Sequence, residues 1–157
     1  MADDEERSGI LFEDTFEVKD VNPKGKSSTQ FKNVSRIVAR GATFEMDLVV
    51  DIQSELFPMA MNERFTLALA STLDMDGKPD DGTYNQSGAP TLLDKFDYGM
   101  HGRVFSYEYV GEGEHRVAIY ASYGGLLMKL VGDQRKLNTI DLDTRIYCLL
   151  KRSSDSD

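Results

Sequence analysis

Four aspartates and two glycines, Asp74, Asp76, Gly77, Asp80, Asp81 and Gly82 in "DMDGKPDDG", come nearest in type and spacing to a metal site in this chain. Oxygen-rich loops hold calcium when carboxylates alternate with turn-forming residues. Against the helix-flanked twelve-residue loop, Lys78 falls at the third ligand position and Pro79 at the position that needs a flexible glycine. No helical period flanks the stretch, so it reads as a solvated acidic loop and no metal is expected.

Residues for covalent or acid/base chemistry are few. His101 and His115 are the only histidines, Cys148 is the only cysteine, and neither a Gly-x-Ser-x-Gly elbow nor a His-Glu-x-x-His pair occurs. Carboxylates are abundant, but no spacing singles out a catalytic pair. No catalytic residue and no cofactor is expected. Cys148, inside "IYCLLK", cannot form an internal disulfide and reads as a reduced, packed side chain.

A third chemistry is base stacking. Phe105, Tyr107 and Tyr109 alternate, Tyr120 and Tyr123 follow, and Arg103 and Arg116 stand close in sequence, as on a platform for single strands. Arg103, Tyr107 and Arg116 are the residues that would touch nucleic acid. The alternative is that the rings fill a core. With 18 Lys and Arg against 27 Asp and Glu, a formal charge of -9, the chain repels phosphates, so direct nucleic-acid binding is expected to be weak or absent. The N-terminal "MADDEERSG" is acidic where a secretory signal would be basic and then apolar, and no apolar run approaches about 18 residues. An intracellular protein without membrane contact is expected.

The elements that must carry these residues are strands. "TFEMDLVVDI" places Phe44, Met46, Leu48, Val50 and Ile52 on one face and Thr43, Glu45, Asp47 and Asp51 on the other. "FEDTFEV" aligns Phe12, Phe16 and Val18, with Asp14 intruding; "RFTLALAS" aligns Phe65, Leu67 and Leu69; "NVSRIVARG" sets Ile37 and Ala39 against Arg36 and Arg40. The aromatic run from Phe96 to Val110 is interrupted by Gly99 and Gly102, which predict a bulge or bend there. "RVAIYASY", "LLMKLV" and "RIYCLLK" bring the total to seven or eight strands, while "TLLDK" and "DQRKL" could each form a turn or two of helix. The fold class is all-β, an antiparallel barrel of about eight strands with long loops. One domain is expected over residues 9–152, with an acidic disordered head at 1–8 and a disordered tail at 153–157.

Within "SYGGLLMKL", register decides the role of Gly124 and Gly125. A strand running straight through would put Lys129 on the face of Val117, Ile119, Ala121 and Tyr123. A two-residue hairpin turn instead opposes Tyr123 to Leu126 and yields an unbroken apolar face through Met128 and Leu130. The hairpin is the preferred reading, a barrel corner the alternative. Its far side carries Tyr120, Leu127 and Val131, and exposed apolar groups there would mark a docking surface.

The same hairpin carries a resemblance. "YGGLLMKLVGD" resembles the signature of the small β-barrel subunit shared by the nuclear RNA polymerases I, II and III, conventionally numbered eighth. "GILFEDTFEVKDVNPKGK", "VSRI", "FEMDLVVDI", "LFP", "LALASTL", "DGKPDDGTYN", "FDYGMHGRVF" and "LDTRIYCLLKR" extend it in order along nearly the whole chain. The resemblance implies an OB-type barrel of two fused OB-like motifs and a non-catalytic subunit that is not a homo-oligomer. It implies docking on the largest subunit, support of assembly and transcription, and location in the nucleus, nucleolus included. The interface residues it nominates are Tyr98, Met100, His101 and Gly102 in "YGMHG", and Tyr120, Tyr123, Gly124, Gly125, Leu126, Leu127 and Met128 in the hairpin. The alternative function is a free single-strand-binding OB protein.

Overall fold

The computed structural model describes residues 9–22, 33–42, 45–73, 91–110 and 115–153. The expected acidic head, most of the loop between Asn22 and Asn33, Phe44, the Asp74 to Pro90 loop and the tail beyond Ser153 lie outside these residues.

Period-two alternation produces eight strands: β1 (Ile10–Val21), β2 (Val34–Gly41), β3 (Asp47–Gln53), β4 (Arg64–Ala70), β5 (Tyr98–Val110), β6 (Arg116–Tyr123), β7 (Leu126–Asp133) and β8 (Arg145–Arg152). All pairings are antiparallel, and the order β1-β2-β3-β7-β6-β5-β8-β4 closes back on β1. Closure removes the sheet edges that would otherwise invite aggregation. The all-β barrel and its strand number are as the sequence led us to expect. Both short helical turns form as well, a 3-10 turn at Leu92–Lys95 and α1 at Gln134–Leu137. Asp133 caps α1 by accepting from the Arg135 N–H, and the neighbouring Arg135 guanidinium lowers the Asp133 carboxyl to about 2.

Inward residues of every strand, among them Phe16, Ile37, Leu48, Ile52, Phe65, Leu67, Ile119, Met128, Leu130 and Ile146, form one core. Asp14 is buried beside them and its Oδ1 accepts the Thr15 N–H at 2.8 Å. From the loop after β3, Phe57 stacks on Tyr98 with ring centroids 5.6 Å apart. Arg152 lies 4.6 Å from the Phe57 ring centroid, donates to Glu63 Oε2 at 2.8 Å and also donates to the Pro58 carbonyl, fixing that loop to the end of β8.

A second, smaller cluster lies on the outside of the barrel. Ala68 and Ala70 on β4 point outward yet are fully buried, because Leu92 of the 3-10 turn packs with them and Leu149. Small side chains there make room for the turn. At Gly99, on β5, a Cβ would come within 2.7 Å of Leu93 and 3.2 Å of Leu149, so this glycine provides space rather than a bulge.

β5 serves two neighbours, pairing with β8 over Tyr98–Arg103 and with β6 over Arg103–Val110. Its register shift falls between Val104 and Ser106, at Phe105, and not at either glycine as the sequence suggested. The extra residue turns Phe105 to the outer face, 51% exposed and 6.1 Å from Tyr120 between ring centroids. Tyr107 and Tyr109 pair with the inward Ile119 and Val117, and Tyr107 packs against the core. The alternating platform of Phe105, Tyr107 and Tyr109 that base stacking would need is therefore split between two faces.

Candidate functional site

The hairpin joining β6 to β7 turns at Gly124 and Gly125, whose φ angles of +65° and +97° suit the mirror-image turns that match strand twist. Nothing lies within 4 Å of a Cβ placed on Gly124, so conformation rather than space requires glycine there. Tyr123 pairs with Leu126, Ser122 with Leu127, Ala121 with Met128 and Tyr120 with Lys129. Val117, Ile119, Ala121, Tyr123, Leu126, Met128 and Leu130 are all buried, which is the apolar face that the hairpin register demands.

Gly102 brings the other nominated stretch against this hairpin. A Cβ on Gly102 would collide with the Ser122 carbonyl oxygen and lie 2.8 Å from Tyr123 Cα. The absence of a side chain lets the two backbones touch where β5 passes from β8 to β6. "YGMHG" and the double-glycine hairpin are thus one continuous region of the barrel wall.

Its residues divide by face. Tyr98, Met100, Tyr123, Leu126 and Met128 point inward and are buried, so they shape the region from beneath. His101, Tyr120 and Leu127 face outward, Gly124 and Gly125 offer exposed backbone, and Gly102, opposite the inward Ile146, is packed against β6. His101 packs on Tyr147 of β8 with ring centroids 4.3 Å apart. Beneath the hairpin, the Tyr123 hydroxyl donates to Met128 Sδ at 3.7 Å, and the Cys148 thiol is buried in the same core. Burial pushes the Cys148 thiol up to about 12 and the Tyr123 phenol well above its usual range, which leaves both neutral and unreactive.

On the outer face, cross-strand register aligns Val38, Val49, Lys129, Tyr120 and Ser106 in one row from β2 to β5. The Lys129 ammonium lies 5.7 Å from the Tyr120 ring centroid, and Leu127, next along β7, is 42% exposed. At the edge of the row is a feature that the sequence did not reveal. Asp51 faces outward but is only 1% exposed. Its carboxylate takes Arg36 Nε at 2.7 Å, Arg36 NH2 at 2.9 Å and the Leu127 N–H at 3.0 Å, and the bond to Asp51 raises the Arg36 pKa. The β3–β7 ladder ends at Val50 and Met128, and this side chain continues it.

The three candidate nucleic-acid residues are not brought together. Arg103, on β5, pairs with Ser122 near one end of β6, whereas Arg116 begins β6 at the other end, six residues apart in register and so about 20 Å distant at the usual rise. Arg103 is 3.5 Å from Asp143, Arg116 is 3.5 Å from Asp47 and donates to the Glu45 carbonyl, and Tyr107 lies on the inner face. Among the described residues no group of three or more His, Cys, Asp or Glu is placed to hold a metal ion, and no helix is long and apolar enough to cross a membrane. The calcium-loop aspartates lie outside the described residues.

Comparison with known proteins agrees with this geometry. The family model described as RNA polymerase Rpb8 matches residues 13–152. A Dictyostelium discoideum protein named DNA-directed RNA polymerases I, II, and III subunit rpabc3 is 44% identical over 146 residues, covering 93% of this chain and 99% of the relative. Subunit 8B of the Arabidopsis thaliana DNA-directed RNA polymerases II, IV and V is 38% identical, covering 91% and 96%. The Saccharomyces cerevisiae subunit of polymerases I, II and III is 35% identical, covering 92% and 99%. Similarity at this level across the whole barrel shows that the chain belongs to the RNA polymerase Rpb8 family.

Proposed function

We propose that this chain is a non-catalytic structural subunit common to the nuclear RNA polymerases I, II and III. It docks on the largest catalytic subunit, supports assembly and works in the nucleus, nucleolus included. The observation that carries this reading is the 44% identity over 93% of the chain to a relative named as a subunit of all three polymerases. Chemistry favours it as well: the one thiol is buried and held protonated, and the residues gathered at the hairpin and the "YGMHG" corner suit contact rather than catalysis. Within that region His101, Tyr120, Gly124, Gly125 and Leu127 offer the outward surface, while Gly102 and the inward Tyr98, Met100, Tyr123, Leu126 and Met128 hold it rigid. Direct nucleic-acid binding is weak or absent, a reading supported by the formal charge of -9 and by the separation of Arg103 from Arg116, each of which has a carboxylate at 3.5 Å.

Affinity purification of the tagged chain from nuclease-treated nuclear extract tests the proposal. Recovery of the largest subunits of three distinct polymerases is the expected result. A complex that dissolves on nuclease treatment would favour a free single-strand-binding protein instead.

A further inference from the structure

The two apolar patches on the outside of this barrel are treated differently. On β4 and β8 the patch of Ala68, Ala70 and Leu149 is covered by the chain itself, through Leu92, which is 3% exposed. On β2, β3, β7, β6 and β5 the row of Val38, Val49, Lys129 and Tyr120, flanked by Leu127 and Phe105, has no such cover among the described residues; Phe105 is 51% and Leu127 42% exposed. From Val38 to Tyr120, three strand-to-strand steps make it about 14 Å across. Single exposed apolar residues need no explanation, but the half-buried Val38, Val49 and Tyr120 adjoin the exposed Phe105 and Leu127 in one contiguous surface, which does.

The charges along and directly beside this row define what fits it. Asp51 is taken by Arg36 and the Leu127 N–H, and Asp47 by Arg116. Lys129, in the middle of the row, has Val49 and Tyr120 as its cross-strand neighbours, and among the described residues no carboxylate lies within ion-pair distance of it. Both outward carboxylates of β3 are thus already engaged, and a cation is left at the centre of apolar surface. The complement is apolar with one carboxylate.

We propose that this row seats an extended, largely apolar segment of another polymerase subunit that places an Asp or Glu at Lys129; the inference rests on the function proposed above. A polypeptide fits better than a nucleic acid. Val38, Val49 and Leu127 offer no stacking surface, one face of Tyr120 is occupied by Lys129, and the nearby Arg36 and Arg116 are committed to carboxylates.

The test places the photo-crosslinking residue p-benzoylphenylalanine at Leu127, or separately at Val49, in tagged chain incorporated into the intact polymerase. Irradiation is expected to join it to a segment of another subunit that contains an acidic residue. Attachment to this chain itself, attachment to nucleic acid, or no attachment would overturn the proposal. Loss of every polymerase subunit before irradiation would instead refute the function on which it rests. In parallel, Lys129→Glu is expected to lower the share of tagged chain in the polymerase about tenfold through like-charge repulsion, with Lys129→Arg retained and the melting temperature of the free chains unchanged. Full incorporation of Lys129→Glu would overturn the assignment of a carboxylate partner.

Discussion

Removing either partner of the Arg36–Asp51 pair should destabilise the barrel, but by unequal amounts, and the structure sets the order. Arg36→Ala leaves the Asp51 carboxylate, whose side chain is 2% exposed, with the Leu127 N–H as its remaining partner of the three. A charge stranded in that way costs about 3–5 kcal/mol. Asp51→Ala leaves the Arg36 guanidinium, whose side chain is 27% exposed and can turn toward water, so the loss is about 2–3 kcal/mol, mostly from the charged hydrogen bonds and the uncovered Leu127 N–H. Replacing both at once, as Arg36→Met with Asp51→Leu, should cost less than either single change, because no charge is left unpaired. Urea unfolding followed by far-ultraviolet circular dichroism reads all three, with unchanged denaturant slopes confirming a common transition. Equal costs for the two single variants, or a double variant weaker than both, would refute the claim that an outward-facing carboxylate joins β2, β3 and β7.

Other consequences follow from the glycines, the thiol and the helix cap. Gly102→Ala should cost about 3 kcal/mol, because the new Cβ meets backbone that cannot turn aside, while Gly124→Ala should cost about 1–2 kcal/mol from its positive φ alone; thermal melts that reverse this order would contradict the close approach of β5 to the hairpin. Cys148 should resist iodoacetamide at pH 8 in the folded protein and react fully in denaturant, and rapid native labelling would contradict a buried thiol pushed up to about 12. The Asp133 carboxyl, lowered from 3.8 to about 2, should show a low midpoint by carbon-13 NMR, and Arg135→Ala should return it toward 3.8. Its stabilising contribution is full above 3.8 and is lost as pH falls through about 2; a midpoint near 3.8 in the unaltered protein would rule out the bond to Arg135.

Much of the barrel was legible because alternation of apolar and polar residues has a direct physical cause in the pleat of a half-buried strand. Register arithmetic at Gly124 and Gly125 succeeded for the same reason: one choice buries Lys129, the other does not. Local pattern failed where distant chain decides. Asp51 stands on the polar face of β3 and reads as solvated, but its partners Arg36 and Leu127 lie 15 and 76 residues away and meet it only through register. The bulge at Phe105 carries no glycine to announce it, and it reassigns three aromatic residues to different faces. Gly99 and Gly102 were visible as special positions, yet their cause, room for Leu93 and for the β6 backbone, belongs to tertiary packing. The candidate interface was legible as two stretches of sequence, and their contact through Gly102 was not.

The most direct test of a structural role within the polymerases is the size distribution of the endogenous chain. Nuclear extract treated with nuclease and resolved by sedimentation should place nearly all of it in particles that contain a largest polymerase subunit, at one copy per particle by quantitative mass spectrometry. A chain found mostly at its own 17.6 kDa, or sedimenting with nucleic acid and released by nuclease, would contradict the account.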